Sequence, residues 1–196
     1  MERSFTSTLL NLTRRNLLIA GSAFLTGLAV TGPAQGFTLD EVEKDVSADY
    51  PSVRHVLPKS VPMAQSSSRE VLLLDVREED EFAVSHLPGA IRVDPDMSPE
   101  DFMAKFGGMA AGKQVVFYCS VGVRSSQMAE RVGARLSTAG ARGVANLSGG
   151  IFRWHNERRG LVSRQGPTDL VHPYNRKWGA LVARQPQISY TPVPGR

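Results

Sequence analysis

The sequence predicts an α/β fold in which helices cover a mostly parallel sheet, and three observations carry that prediction. Short, continuously apolar runs such as Val71–Leu74 and Val115–Tyr118 suit strands buried on both faces, as in a parallel sheet. Segments with helix-start signals or helical apolar spacing alternate with those runs, the rhythm of a right-handed layered α/β protein. Gly- and Pro-containing turns punctuate the junctions. With 196 residues, 41% of them hydrophobic and 21% charged, the chain has room for one domain of ordinary size plus extensions.

The elements follow in order. Thr38-Leu39-Asp40-Glu41 has the form of a capping box, with Thr38 as the cap of a short helix to about Ala48. Val53–Leu57 reads as a short edge strand, Ser66–Ser68 as a surface loop and Val71–Leu74 as a buried strand closing on Asp75. Glu78–Ser85 is a short helix, Pro88-Gly89 a turn and Ala90–Val93 a strand. Ser98-Pro99 starts a helix with a cap and a proline at its first position, and Gly107-Gly108 is expected to stop it. After the strand that ends at Cys119, the segment Arg124–Thr138 places Met128, Val132, Leu136 and Ala139 on one helical stripe. Val144–Leu147 is the next strand, Ser148-Gly149-Gly150 a turn, and Ile151–Arg158 a final short helix. Residues 163–196 form a basic tail, and its end, Gln185–Arg196, with Pro186, Pro192 and Pro194 and little periodicity, is expected to be extended.

Residues 1–36 have the layout of a secretory signal peptide. A charged start ending in Arg14-Arg15 precedes the uncharged, mostly apolar Asn16–Val30 and a small-residue exit at Ala34-Gln35-Gly36, and cleavage is expected before Phe37. The adjacent arginines followed by Asn16-Leu17-Leu18 resemble a twin-arginine signal. The apolar stretch is too short to span a bilayer comfortably. The protein is therefore expected to be periplasmic or otherwise exported, with no membrane span after cleavage.

The net charge of +4 invites a nucleic-acid reading, but the excess lies at the two ends. Arg3, Arg14 and Arg15 stand against Glu2 in the first 36 residues. Arg164, Arg176, Lys177, Arg184 and Arg196 stand against Asp169 after residue 162. The middle of the chain is slightly acidic and has no Lys/Arg run interleaved with aromatics, so no nucleic-acid partner is predicted.

Cys119 is the only cysteine. It stands where Val115–Tyr118 gives way to Ser120-Val121-Gly122-Val123-Arg124 and a helix begins. Amides at a helix start have no helical acceptors and lie at the positive end of the backbone dipole, so they can solvate a thiolate. Gly122 permits a positive φ, and Arg124 is expected to offer a guanidinium fork to an incoming anion. A lone cysteine at a strand end also fits the profile of a small core residue, and an exported chain with one cysteine has no internal disulfide partner. His55, His155 and His172 show no metal-ligand spacing, and no metal is predicted.

Three separated segments resemble the rhodanese family. They are Leu74-Asp75-Val76-Arg77 with Phe82 and His86-Leu87-Pro88-Gly89-Ala90; Tyr118-Cys119-Ser120-Val121-Gly122-Val123-Arg124-Ser125; and Leu147-Ser148-Gly149-Gly150-Ile151 with Trp154. The resemblance implies a rhodanese-like domain over residues 37–162, with a five-stranded parallel sheet flanked by helices on both faces. It implies a sulfurtransferase that works through a persulfide on Cys119, taking sulfane sulfur from thiosulfate or another small anionic donor and passing it to a thiol, a protein acceptor or cyanide, with no cofactor. Ser120, Val121, Gly122, Val123 and Arg124 would form the persulfide loop, and Asp75 and Arg77 would support it. Arg77 is expected to pair with Glu81 one helical turn on, His86 to fix a turn and Trp154 to pack in the core.

Two alternatives stand beside this reading. One is a rhodanese-like sulfur-carrier or docking module with little turnover. The other is a cysteine phosphatase or arsenate reductase. Phosphatases sharing this fold have five residues between the cysteine and the arginine, whereas four separate Cys119 from Arg124, and a tighter loop suits a sulfane sulfur better than a phosphate.

Overall fold

A computed structural model of the chain describes residues 37–61 and 70–192. The expected signal segment, the serine loop at 66–68 and the last four residues lie outside the described residues. Strands β1 (Arg54–Val56), β2 (Val71–Asp75), β3 (Ile91–Arg92), β4 (Gln114–Tyr118) and β5 (Gly143–Leu147) form one sheet in the order β1-β5-β4-β2-β3, parallel throughout. The central strand β4 buries Val115, Val116, Phe117 and Tyr118 in succession. Burial of consecutive residues means that both faces of the sheet are covered, which is why the run shows no alternation.

Helices α1 (Leu39–Asp49), α2 (Glu79–Val84), α3 (Pro99–Ala110), α4 (Val123–Thr138) and α5 (Gly150–Asn156) punctuate the strands. The capping box at Thr38 forms: its hydroxyl accepts from the Glu41 N–H at 3.2 Å, and the Glu41 carboxylate accepts from the Thr38 N–H at 3.0 Å. In α4, Met128, Val132 and Leu136 face the core, and Gly140 (φ 91°) closes the helix as the Ala141 N–H donates to the Leu136 carbonyl. The expected stop at Gly107-Gly108 does not occur. α3 runs on to Ala110, whose side chain is fully buried, and the left-handed residue beyond it is Gly112. Tertiary packing of Phe106 and Ala110 outweighs the weak helix preference of two glycines.

The larger departure concerns the C-terminal segment. Residues 161–192 pack on the domain: β6 (Leu161–Ser163) and β7 (Gly166–Thr168) make an antiparallel hairpin, α6 (Arg176–Gly179) follows, and Val171 bridges to Ile188. Leu161, Val171, Leu181 and Val182 are buried in the same core as the sheet. Asn156 staples the segment through its amide, donating to the Leu181 carbonyl at 2.9 Å and accepting from the Ala183 N–H at 2.8 Å. Proline content signalled an extended end, but the Val171 N–H donates to the Gln187 carbonyl at 3.0 Å, the Ser189 N–H donates to the Val171 carbonyl at 3.1 Å, and Ile188 packs against the core. Among the described residues no helix is long and apolar enough to cross a membrane.

Candidate functional site

Cys119 follows β4 directly, at the carboxyl end of the sheet's central strand, where α/β proteins gather their sites. Its side chain is 1% exposed, and the Gly122 N–H points at Sγ from 3.2 Å. Two features of the sequence create that geometry. Gly122 caps α4 with φ 110°, a left-handed conformation open to glycine, and a Cβ there would press on the Asn146 amide at 3.1 Å. The Gly149-Gly150 turn then brings the start of α5 against the loop, where the Ile151 and Phe152 N–H groups donate to the carbonyls of Cys119 and Ser120 at 2.9 and 3.1 Å. Tying these carbonyls outward leaves a loop amide free to face the sulfur.

Behind the loop lies a chain of side-chain hydrogen bonds. The Ser125 hydroxyl donates to Asn146 Oδ1 at 2.6 Å, Asn146 Nδ2 donates to His55 Nδ1 at 3.2 Å, and His55 Nε2 donates to the Tyr50 carbonyl at 3.2 Å. Edge strand β1 thereby braces the first turn of α4.

Arg124 does not extend an open fork. Its Nη1 donates to Glu81 Oε2 at 2.7 Å and its Nη2 to Glu81 Oε1 at 2.9 Å, a bidentate pair. Nη2 also donates to the Ser120 hydroxyl at 3.0 Å, and that hydroxyl donates to Glu81 Oε1 at 2.8 Å. Burial alone would lower the Arg124 pKa, but the bond to Glu81 and the negative charges of Cys119 and Glu81 raise it, so the guanidinium stays protonated. Burial likewise pushes the Glu81 carboxyl upward, and Arg124 more than reverses it, holding Glu81 below the usual carboxylate range. Glu81 also accepts from the Glu78 N–H at 3.2 Å, which starts α2.

Asp75 and Arg77 meet, but not as expected. Arg77 is wholly buried and pairs with Asp75 through Nε (2.8 Å) and Nη2 (2.6 Å), while Nη2 also donates to the Ser85 carbonyl at 2.7 Å. Its link to Glu81 is a single 3.4 Å bond to the backbone carbonyl, because the Glu81 side chain is turned to Arg124. His86 donates from Nδ1 to the Phe82 carbonyl at 3.1 Å and stacks on the Phe82 ring at 3.8 Å, and Trp154 is buried with its indole N–H on the Gly160 carbonyl. Val121 is buried in the core and Val123 packs beside it.

Sequence reasoning gave Glu81 to Arg77 and not to Arg124, and it missed Tyr174. Glu81 is one of four consecutive acids, Glu78-Glu79-Asp80-Glu81, and only its place in the first turn of α2 separates it from its neighbours. Tyr174 lies in the C-terminal segment, yet its ring lies 4.9 Å from the Arg124 guanidinium carbon. It holds φ 63°, rare for an aromatic residue, fixed by its N–H donating to His172 Nδ1 at 3.1 Å. Among the described residues no three His, Cys, Asp or Glu side chains converge to hold a metal.

A parallel sheet with a single cysteine at the end of its central strand, facing the amide of a helix-capping glycine, defines an α/β protein with a cysteine-centred loop. The family model for the rhodanese-like domain matches residues 62–157, and the chain belongs to that family. It is 30% identical over 115 residues to a tRNA uridine(34) hydroxylase of Bacillus velezensis, covering 58% of this chain and 34% of that protein. It is 28% identical over 114 residues to a sulfurtransferase of Allochromatium vinosum, covering 58% of this chain and 99% of that one. An uncharacterized protein of Synechocystis is 30% identical over 146 residues, 71% of this chain and 74% of its own length. A thiosulfate sulfurtransferase structure from Pseudomonas aeruginosa aligns with a TM-score of 0.47 at 21% identity, over 74% of this chain and 27% of that chain. The chain thus spans about a third of the hydroxylase it matches.

Proposed function

We propose that the protein is a sulfurtransferase that carries sulfane sulfur on Cys119. The Cys119 thiolate attacks the outer sulfur of a donor, the bond between that sulfur and the rest of the donor breaks, and the leaving group departs with the electron pair, which is sulfite when thiosulfate is the donor. An acceptor thiolate then attacks the outer sulfur of the persulfide and releases Cys119 as thiolate, a two-step exchange with ping-pong kinetics. The observation that carries this reading is the Gly122 N–H aimed at Sγ from 3.2 Å, a donor placed where negative charge rests on sulfur before and after transfer. The named sulfurtransferase relative, covered over nearly its whole length, supports the same assignment.

Treatment of the purified protein with a sulfane donor should add one sulfur atom to its intact mass, and Cys119→Ser should abolish both the adduct and turnover while keeping the fold. A protein that gains no sulfur from any sulfane donor would overturn the proposal. A second reading, a sulfur carrier with little turnover, is favoured by the burial of Cys119 to 1% exposure; loading without release to thiols would select it.

Export through the twin-arginine signal belongs to the same proposal and rests on Arg14-Arg15 and the stretch Asn16–Val30. N-terminal sequencing of the protein from a periplasmic fraction should begin at Phe37, and an intact N-terminus there would overturn it.

A further inference from the structure

We propose, resting on the sulfurtransferase reading, that the donor is a persulfide carrying at most one negative charge and not the thiosulfate dianion. Arg124 is the one cation in the loop from Cys119 to Arg124. Its fork is closed by the bidentate bond to Glu81, its Nη2 is shared with the Ser120 hydroxyl, the Tyr174 ring lies beside its guanidinium carbon at 4.9 Å, and it is 7% exposed. A second carboxylate, Glu78 Oε1, stands 4.0 Å from Nη1 on a side chain that is 57% exposed. Two carboxylates therefore face one guanidinium, and the Cys119 thiolate adds a third negative charge. His172 supplies no compensating cation, because its Nδ1 accepts the Tyr174 N–H and the ring is therefore neutral.

A dianion approaching this loop meets like charge, and the loop's own guanidinium is already taken. A hydropersulfide meets far less repulsion. The thiolate of Cys119 attacks its outer sulfur, the Cys119 S–S bond forms as the donor S–S bond breaks, the donor leaves as a thiolate, and the proton stays on the transferred sulfur. No oxidant or reductant is consumed. Glu81 and Tyr174 are the specificity-determining residues: one occupies the fork and the other lies against the guanidinium. Tyr174 lies beyond residues 62–157 that the family model matches, so this cover is built by the chain's own C-terminal segment.

The test compares rates of Cys119 sulfur loading, read by intact mass, with thiosulfate and with N-acetylcysteamine persulfide as donors. The persulfide should load at least about 100-fold faster, and the thiosulfate rate should rise with ionic strength as screening weakens like-charge repulsion. Glu81→Gln, which removes one charge and loosens the fork, should raise the thiosulfate rate about 10-fold or more while changing the persulfide rate less. Glu78→Gln, on an exposed side chain, should raise it several-fold and keeps the test decisive where Glu81→Gln fails to fold. Thiosulfate loading as fast as the persulfide, or a thiosulfate rate that falls with salt and ignores both substitutions, would overturn the inference while leaving sulfur transfer intact. Loading by neither donor would overturn both.

Discussion

Gly150 sits so close to the carbonyl oxygen of Cys119 that a Cβ on it would overlap that oxygen and approach the Ser120 carbonyl oxygen to 2.7 Å. This contact holds the cysteine loop from behind, and it requires a left-handed φ of 53°. Gly150→Ala adds a steric overlap to about 1–2 kcal/mol for a left-handed L-residue. We expect a fall in Tm of at least about 3 °C together with slower sulfur loading of Cys119. A variant that melts and loads like the wild type would show that the loop does not depend on this approach.

The C-terminal segment is expected to be indispensable to the fold. Ending the chain after Gly160 removes Leu161, Val171, Leu181 and Val182, all nearly fully buried, and each such side chain contributes about 1.5–3 kcal/mol on burial. Their sum approaches the whole stability of an ordinary domain, about 5–15 kcal/mol. The truncated chain should lose its cooperative thermal transition or aggregate. Retention of a wild-type transition would mean that the segment only rests on the surface.

Most of the architecture was legible because local signals and tertiary demands agree. The apolar run at Val115–Tyr118, the cap at Ser98-Pro99 and the stripe at Met128, Val132 and Leu136 each say locally what the packed molecule requires. The cysteine and its glycine cap were legible for the same reason. What was not legible are long-range pairings. Glu81 lies 43 residues from Arg124, and nothing in an acidic run marks which carboxylate turns inward. Tyr174 meets Arg124 only after two strands and a turn fold back, in a segment whose later prolines point to an extended chain.

Acid should loosen the cover over Arg124. Burial lowers the pKa of His155 and of His172, more than the Asp169 carbonyl bonded to His155 and the carboxylates Glu81 and Asp80 near His172 raise them. A histidine kept neutral by folding contributes stability that is complete above its unfolded pKa, about 6.5, and is lost as pH falls through the lower folded value. Protonation of His172 Nδ1 would also remove the acceptor of the Tyr174 N–H. Hydrogen exchange in a peptide spanning residues 170–176 should accelerate as the pH falls from about 7 to about 5, after correction for intrinsic rates, and His172→Gln should flatten that dependence. Protection that is unchanged across the window would contradict this origin for the loop's order.

The Asp75–Arg77 pair should act through stability, and its size separates it from the exposed ion pairs of this protein. Arg135–Glu100, with side chains 49% and 70% exposed, belongs to a class that contributes about 0–1 kcal/mol. Arg77 and Asp75 are both fully buried, and losing the guanidinium would strand the Asp75 carboxylate and the Ser85 carbonyl. Removing one partner of such a pair costs about 3–5 kcal/mol, whereas replacing both with apolar residues can restore much of the loss. In urea unfolding, Arg77→Met should lose about 3 kcal/mol or more, and the double variant Arg77→Met/Asp75→Leu should lose less than the two single variants together, a coupling that marks direct contact. Additive losses would place the energy in packing around the two residues and not in the bond between them.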